Sequence, residues 1–271
     1  SEMCIRDRKV SEARAVLAEP QPEPEPQPQA QAQAQAAGDE DPTLEAPRSD
    51  GDEAHLQRRD EMLEPVLSAS VRALKRVLAD DQNAVLDRLR TLRADKAAPE
   101  AILGDEEDQR RTIARRAVTG LTAAAAGGAR LALNADAPEP EATLVAPLAD
   151  RLAADLVGPF RGRLVTLLEA GDGDGGSDTV DRLSGIYREW RSRVEGVVGD
   201  ALTEAVALGM TGVVEAGTPV RWVVEDVDGP CPDCDDNALA GAMSLGAPFP
   251  TGQVTPPAHP GCRCVLVQAA M

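Results

Sequence analysis

The chain is 271 residues long, with a formal net charge of −18 and only 2% aromatic residues. Its carboxylates repel phosphate, which argues against extensive nucleic-acid binding outside a local basic face. A core so poor in aromatics must be built from Leu, Val and Ala, a composition that favours packed helices over a sandwich or barrel, and no run of about eighteen apolar residues offers a membrane span.

The opening SEMCIRDR string resembles translated adapter sequence. We read it, Cys4 included, as an assembly scar on a chain lacking its true start. No apolar stretch of the kind a secretory signal needs follows it. Residues 20–37 run PQPEPEPQPQAQAQAQAA, which favours an extended, polyproline-like chain. Acidic, proline-dotted sequence continues to Gly51. Such a segment buries too little apolar area to offset its ordering entropy, so residues 1–51 are expected to be a disordered acidic Pro/Gln-rich tether.

A helical body is expected over residues 52–212. Leu63, Leu67, Val71, Leu74, Leu78, Val85, Leu89 and Leu92 recur at helical spacing, with Pro65 expected to start the helix or kink its first turn. His55, beside the acidic segment, is expected to be solvated. A second helix is expected over Asp105–Ala126, its acidic opening suiting the positive end of the helix dipole and Gly127 and Gly128 weakening or stopping it. Arg110, Arg111, Arg115 and Arg116 are expected to form a solvated face. Pro138 and Pro140 mark a break. A third helix is expected over Ala142–Ala170, with Leu144, Leu148, Leu152 and Leu156 on one face and an interruption at Gly158 and Pro159. The GDGDGG loop at 171–176 lacks the spaced ligands and closing glutamate of a calcium loop. In the fourth helix Leu183, Tyr187, Trp190, Val194, Val197, Leu202 and Val206 share a face, with Tyr187 and Trp190 as core anchors and Gly209 and Gly212 as its end.

Composition changes in residues 213–271. Pro219–Val224 and Cys264–Gln268 read as short strands. Between them lie Cys231-x-x-Cys234 and the closing PPAHPGCRC, with His259, Cys262 and Cys264. The CxxC spacing lets two thiolates face one ion, and any four of the five donors can make a tetrahedral zinc site. A small module rich in Gly and Pro needs such a staple. A disulfide between the two cysteine pairs and reduced, packed cysteines are the alternatives. Neither HExxH nor the H-x-E of zinc deaminases is present. The expected fold class is therefore mainly α: a disordered N-terminal segment, a helical body and a small α+β C-terminal module tied by a Cys/His cluster.

The elements Trp222, Cys231, Pro232, Cys234, the PTG turn at 250–252, Pro257, His259, Pro260, Cys262, Arg263 and Cys264 together resemble the C-terminal motif of the phage Mu F-like head-morphogenesis family. The motif spans about the last fifth of the chain. The resemblance implies a minor capsid protein, not an enzyme, that associates with portal and capsid proteins of the procapsid. It implies location in the virion, with the host cytoplasm as the site of assembly. No effector domain is expected after the motif. A zinc-binding module touching packaged DNA and a zinc- or cysteine-dependent hydrolase are the competing readings. Arg263 is expected to pair with Asp233 or Asp235 or to lie free on the surface.

Overall fold

A computed structural model describes residues 50–92, 97–170, 177–225 and 231–269. The expectations for residues 1–49 and for the GDGDGG loop lie outside the described residues. The elements run α1 (Asp50–Leu92), α2 (Pro99–Leu103), α3 (Glu106–Leu133), α4 (Ala142–Glu169), α5 (Ser177–Val213), β1 (Pro219–Val223), α6 (Pro232–Leu239), β2 (Met243–Ser244) and β3 (Val265–Gln268). The fold is mainly α, with a small antiparallel sheet ordered β2-β1-β3. None of the described helices is long and apolar enough to cross a membrane.

The helical stripes account for the larger core. Val71, Leu74, Leu78, Val85 and Leu89 of α1 are buried in one core with Leu148, Leu152, Leu156 and Leu164 of α4 and Leu183, Val194, Leu202 and Val206 of α5. Two ends of the stripes differ from expectation: Leu92 is 42% exposed and Leu144 37%, each at a helix terminus. Phe160, Tyr187 and Trp190 form one aromatic group, with Phe160 edge-on to Tyr187 at 4.6 Å and stacked on Trp190 at 5.4 Å. Tyr187 and Trp190 are thus core anchors. The Tyr187 hydroxyl donates to Asp81 Oδ2 at 2.6 Å, so its buried polar end is satisfied.

The expected breaks at Gly and Pro are corrected. Pro65 and Pro159 lie inside continuous helices. Pro65 sits on an exposed position, where water can serve the carbonyl that proline leaves without a donor. Gly127 and Gly128 lie within α3, and Gly209 within α5. Their lack of a side chain serves packing. A Cβ on Gly128 would fall 1.9 Å from the Val206 carbonyl oxygen, and one on Gly209 1.8 Å from that of Ala125. Helices α3 and α5 therefore meet backbone to backbone. The start of α3 matches its sequence: Asp105 is the N-cap and accepts from the Asp108 amide at 2.8 Å.

The short helix α2 was not anticipated. Arginines serve its carbonyl end: Arg88 Nε donates to the Ile102 carbonyl at 2.6 Å and Arg161 Nη2 to that of Gly104 at 2.6 Å. The arginine face on α3 is partly neutralised, Arg110 pairing with Glu106 at 2.5 Å and Arg111 with Asp108. His55 is half-buried rather than solvated. Burial, and then the neighbouring Arg58 charge, hold its pKa below the usual histidine value.

The sheet has two different faces. Val220, Trp222 and Val224 alternate toward a second core with Leu245, Phe249 and Leu266, whereas Val223, Val265 and Val267 face Leu56 of α1. This is the period of two that a strand imposes. On the α1 side, Arg221 pairs with Asp52, and Arg59, only 2% exposed, pairs with Glu225 and with Asp60 at 2.7 Å. Arg263 joins this group, at 2.9 Å from Asp60 and 3.3 Å from Glu225. Its partners are thus in α1 and just after β1, and at 56% exposure it is a surface arginine.

Candidate metal centre

Helix α6 was not anticipated, and it changes how the first cysteine pair is presented. Cys231 is its N-cap, Pro232 fills the first turn, where a missing N–H costs nothing, and the Asp235 amide donates to the Cys231 carbonyl at 2.9 Å. One helical turn, rather than a tight loop, sets the Cys231 and Cys234 side chains on one side.

The second group of donors comes from a turn and a strand entry. The Cys262 amide donates to the His259 carbonyl at 3.0 Å. Pro260 and Gly261 occupy the two central positions, and Gly261 has φ +79°. That is the arrangement of a type II turn, in which proline presets the first position and glycine accepts the positive φ. HPGC is therefore a turn that points His259 and Cys262 back at α6. Cys264 follows at the mouth of β3, two residues on, and shares the buried side with Cys262.

All five sequence-predicted donors come together. The donor atoms of Cys231, Cys234 and His259 lie within 4.8 Å of one another, and so do those of Cys234, Cys262 and Cys264. Cys234 belongs to both groups. Its Sγ is 3.3 Å from His259 Nε2 and 3.8 Å from Cys262 Sγ. A disulfide needs about 2.05 Å, and Cys231, Cys234, Cys262 and Cys264 are all free thiols. His259 Nδ1 lies 2.9 Å from the Pro260 carbonyl. With the proton on Nδ1 that contact is a hydrogen bond, and Nε2 is left with a lone pair facing the sulfurs, the tautomer a metal ligand requires. These Cys/His groups can hold a metal ion.

The thiols also share protons. Hydrogen bonds with Cys234 and then Cys264 hold the Cys262 thiol below the usual thiol range, against the opposing effect of burial. Donating to Cys262, then contact with Cys264 and burial, push Cys234 well up. Binding of a cation to such a cluster displaces the thiol protons.

Two supporting residues escaped sequence reasoning. Asp200 of α5 accepts from the Gly261 amide at 2.7 Å, tying the ligand turn to the helical body. Burial raises its pKa, partly opposed by that hydrogen bond. Asn237, fully buried on α6, accepts from the Thr251 amide at 3.2 Å and the Thr251 hydroxyl at 2.9 Å, and so fastens the PTG turn to the CxxC helix. A signal for Asn237 existed in its position three residues after Cys234, but it has meaning only once α6 is known. Asp200 carried no local signal. No protein family, curated protein or solved structure matches this chain.

Proposed function

We propose that this chain is a structural protein of the phage head, of the Mu F-like head-morphogenesis kind, whose C-terminal module is knotted by zinc. It acts by contact with portal and capsid proteins in the procapsid and virion, and not by catalysis. The observation that carries this reading is the convergence of the motif. Trp222, Cys234, Cys262 and Cys264 pack in one small core with Phe249, although they are spread over more than forty residues. A set of residues with that order and a common destination behaves as one unit.

Zinc suits the donor set. Thiolate and imidazole are its preferred ligands, and a zinc–sulfur bond of about 2.3 Å gives a tetrahedral edge of about 3.8 Å. The Cys234–Cys262 separation is 3.8 Å. The ion would supply binding energy that a core with only two aromatics, Trp222 and Phe249 at 5.2 Å, lacks. The DNA-contacting alternative gains little, because Arg263 and two of the α3 arginines are engaged by carboxylates.

Elemental analysis of the purified chain and of a Cys231→Ser/Cys262→Ser double variant tests the knot. Zinc in the parent, with loss of zinc and melting of the module in the variant, is the expected result. Co-expression with portal and major capsid proteins of the same genome tests the role. The parent is expected to co-purify with them and the double variant to do so poorly. A chain that stays free of both overturns the head-structural reading.

A further inference from the structure

The five donors are one too many for a tetrahedral ion, and among the described residues no four of them form one group with all atoms within 4.8 Å of one another. A four-coordinate ion needs every pair of its ligand atoms at a tetrahedral edge, about 3.8 Å for sulfur. Among the described residues the mutually close donors instead form two groups of three, Cys231–Cys234–His259 and Cys234–Cys262–Cys264. The sulfur of Cys234 is the one atom common to both. It contacts the His259 Nε2 on one side at 3.3 Å and the Cys262 Sγ on the other at 3.8 Å.

We propose that the module holds two metal ions bridged by the Cys234 thiolate. This rests on the metal-knot reading above and specifies its stoichiometry. The outer ion takes Cys231, Cys234 and His259, and the inner ion takes Cys234, Cys262 and Cys264. The two sites differ in character. Cys231 and His259 are half-buried, whereas Cys234, Cys262 and Cys264 are each buried. A set of three thiolates selects a soft ion, whereas the mixed sulfur and nitrogen set suits zinc. Charge supports the pairing. Four ionised thiolates carry four negative charges, and two divalent ions cancel them. One divalent ion leaves two thiolates uncompensated or still protonated, and uncompensated charge is costly in a buried cluster. The bridging position also gives Cys234 a role distinct from the other four donors: each of those serves one ion, whereas Cys234 serves both.

Titration of the full chain, purified metal-free and reduced, with cadmium-113 tests this, read by native mass spectrometry and cadmium NMR. Two bound ions per chain are expected, giving two resonances that split one another through the shared sulfur. Cys264→Ser is expected to lose the inner resonance and keep the outer one, with helix content unchanged by circular dichroism. Saturation at one ion overturns the two-metal centre and leaves the single knot standing. Two resonances without mutual splitting overturn the Cys234 bridge. No bound cadmium overturns both this inference and the metal-knot reading beneath it.

Discussion

Substituting Gly209 by Ala sets two effects of opposite sign against each other. Gly209 lies in the interior of α5, so helix propensity alone predicts a gain of about 1 kcal/mol. The added Cβ, however, would stand 1.8 Å from the Ala125 carbonyl oxygen, against an ordinary contact of 3.4 Å or more. A backbone oxygen cannot rotate aside, so α3 and α5 must separate by roughly the difference, about 1.6 Å, in an interior that packs like a crystal. A radial gap of about 1 Å already forfeits up to half of each dispersion well. Overpacking of this kind costs about 3 kcal/mol, which leaves a net loss of about 2 kcal/mol. For a domain of this size that lowers Tm by about 4–8 °C. Gly196 of the same helix has nothing within 4 Å of its would-be Cβ, so Gly196→Ala is the control and is expected to raise Tm by about 2–4 °C. Thermal unfolding followed by circular dichroism at the helix band reads both. A Gly209→Ala variant as stable as the parent would refute the backbone-to-backbone contact.

Two other perturbations probe the body and its junction with the sheet. Tyr187 is the single tyrosine, and burial, followed by the Asp81 charge, pushes its pKa far above the usual phenol value. Because the folded value is the higher one, its contribution to stability is intact below about pH 10 and is lost as pH rises beyond that. Phenolate absorbance is expected to appear only together with loss of helix; a phenolate at pH 10 to 11 in a fully helical protein counts against the Tyr187–Asp81 contact. Replacing Arg59 by Met leaves the buried Glu225 with Arg263 as its one ion-pair partner among the described residues, and loss of one partner from a buried ion pair costs about 3 kcal/mol. Urea unfolding midpoints of parent and variant measure this, and a change of less than about 0.5 kcal/mol would mean that the Arg59 group does not fasten α1 to the sheet.

The amphipathic stripes were legible because each is a local property: Leu74, Leu78 and Val85 declare a buried face whatever packs on it. The helix ends were less so. Gly127, Gly128 and Gly209 look like terminators by propensity, and their actual role depends on a neighbouring helix that no local window contains. Pro159 misled for the same reason, since packing on both sides of it keeps α4 continuous. In the module the five donors were readable from spacing. Their division about Cys234 was not, because it depends on α6 turning Cys234 inward between the His259 and Cys262 sides. The Asp60 and Glu225 partners of Arg263 were not readable, because those carboxylates arrive from distant sequence.

That last contact has a consequence for the order in which the molecule assembles during synthesis. The hydrogen bond from Arg263 to Asp60 closes a span of 203 residues, and the Leu56 contact reaches further, to Val265 and Val267. At about 5–20 residues per second, Asp60 leaves the ribosome on the order of 10–40 s before its partner exists. During that interval Leu56 lacks Val223, Val265 and Val267, against which it packs, and Arg59 lacks Glu225. Helices α3, α4 and α5 are made meanwhile and can pack with the later part of α1. The first turns of α1 are thus set to dock last, onto a strand made near the end of the described chain, and until then they present an uncovered edge to whatever else is in the cell.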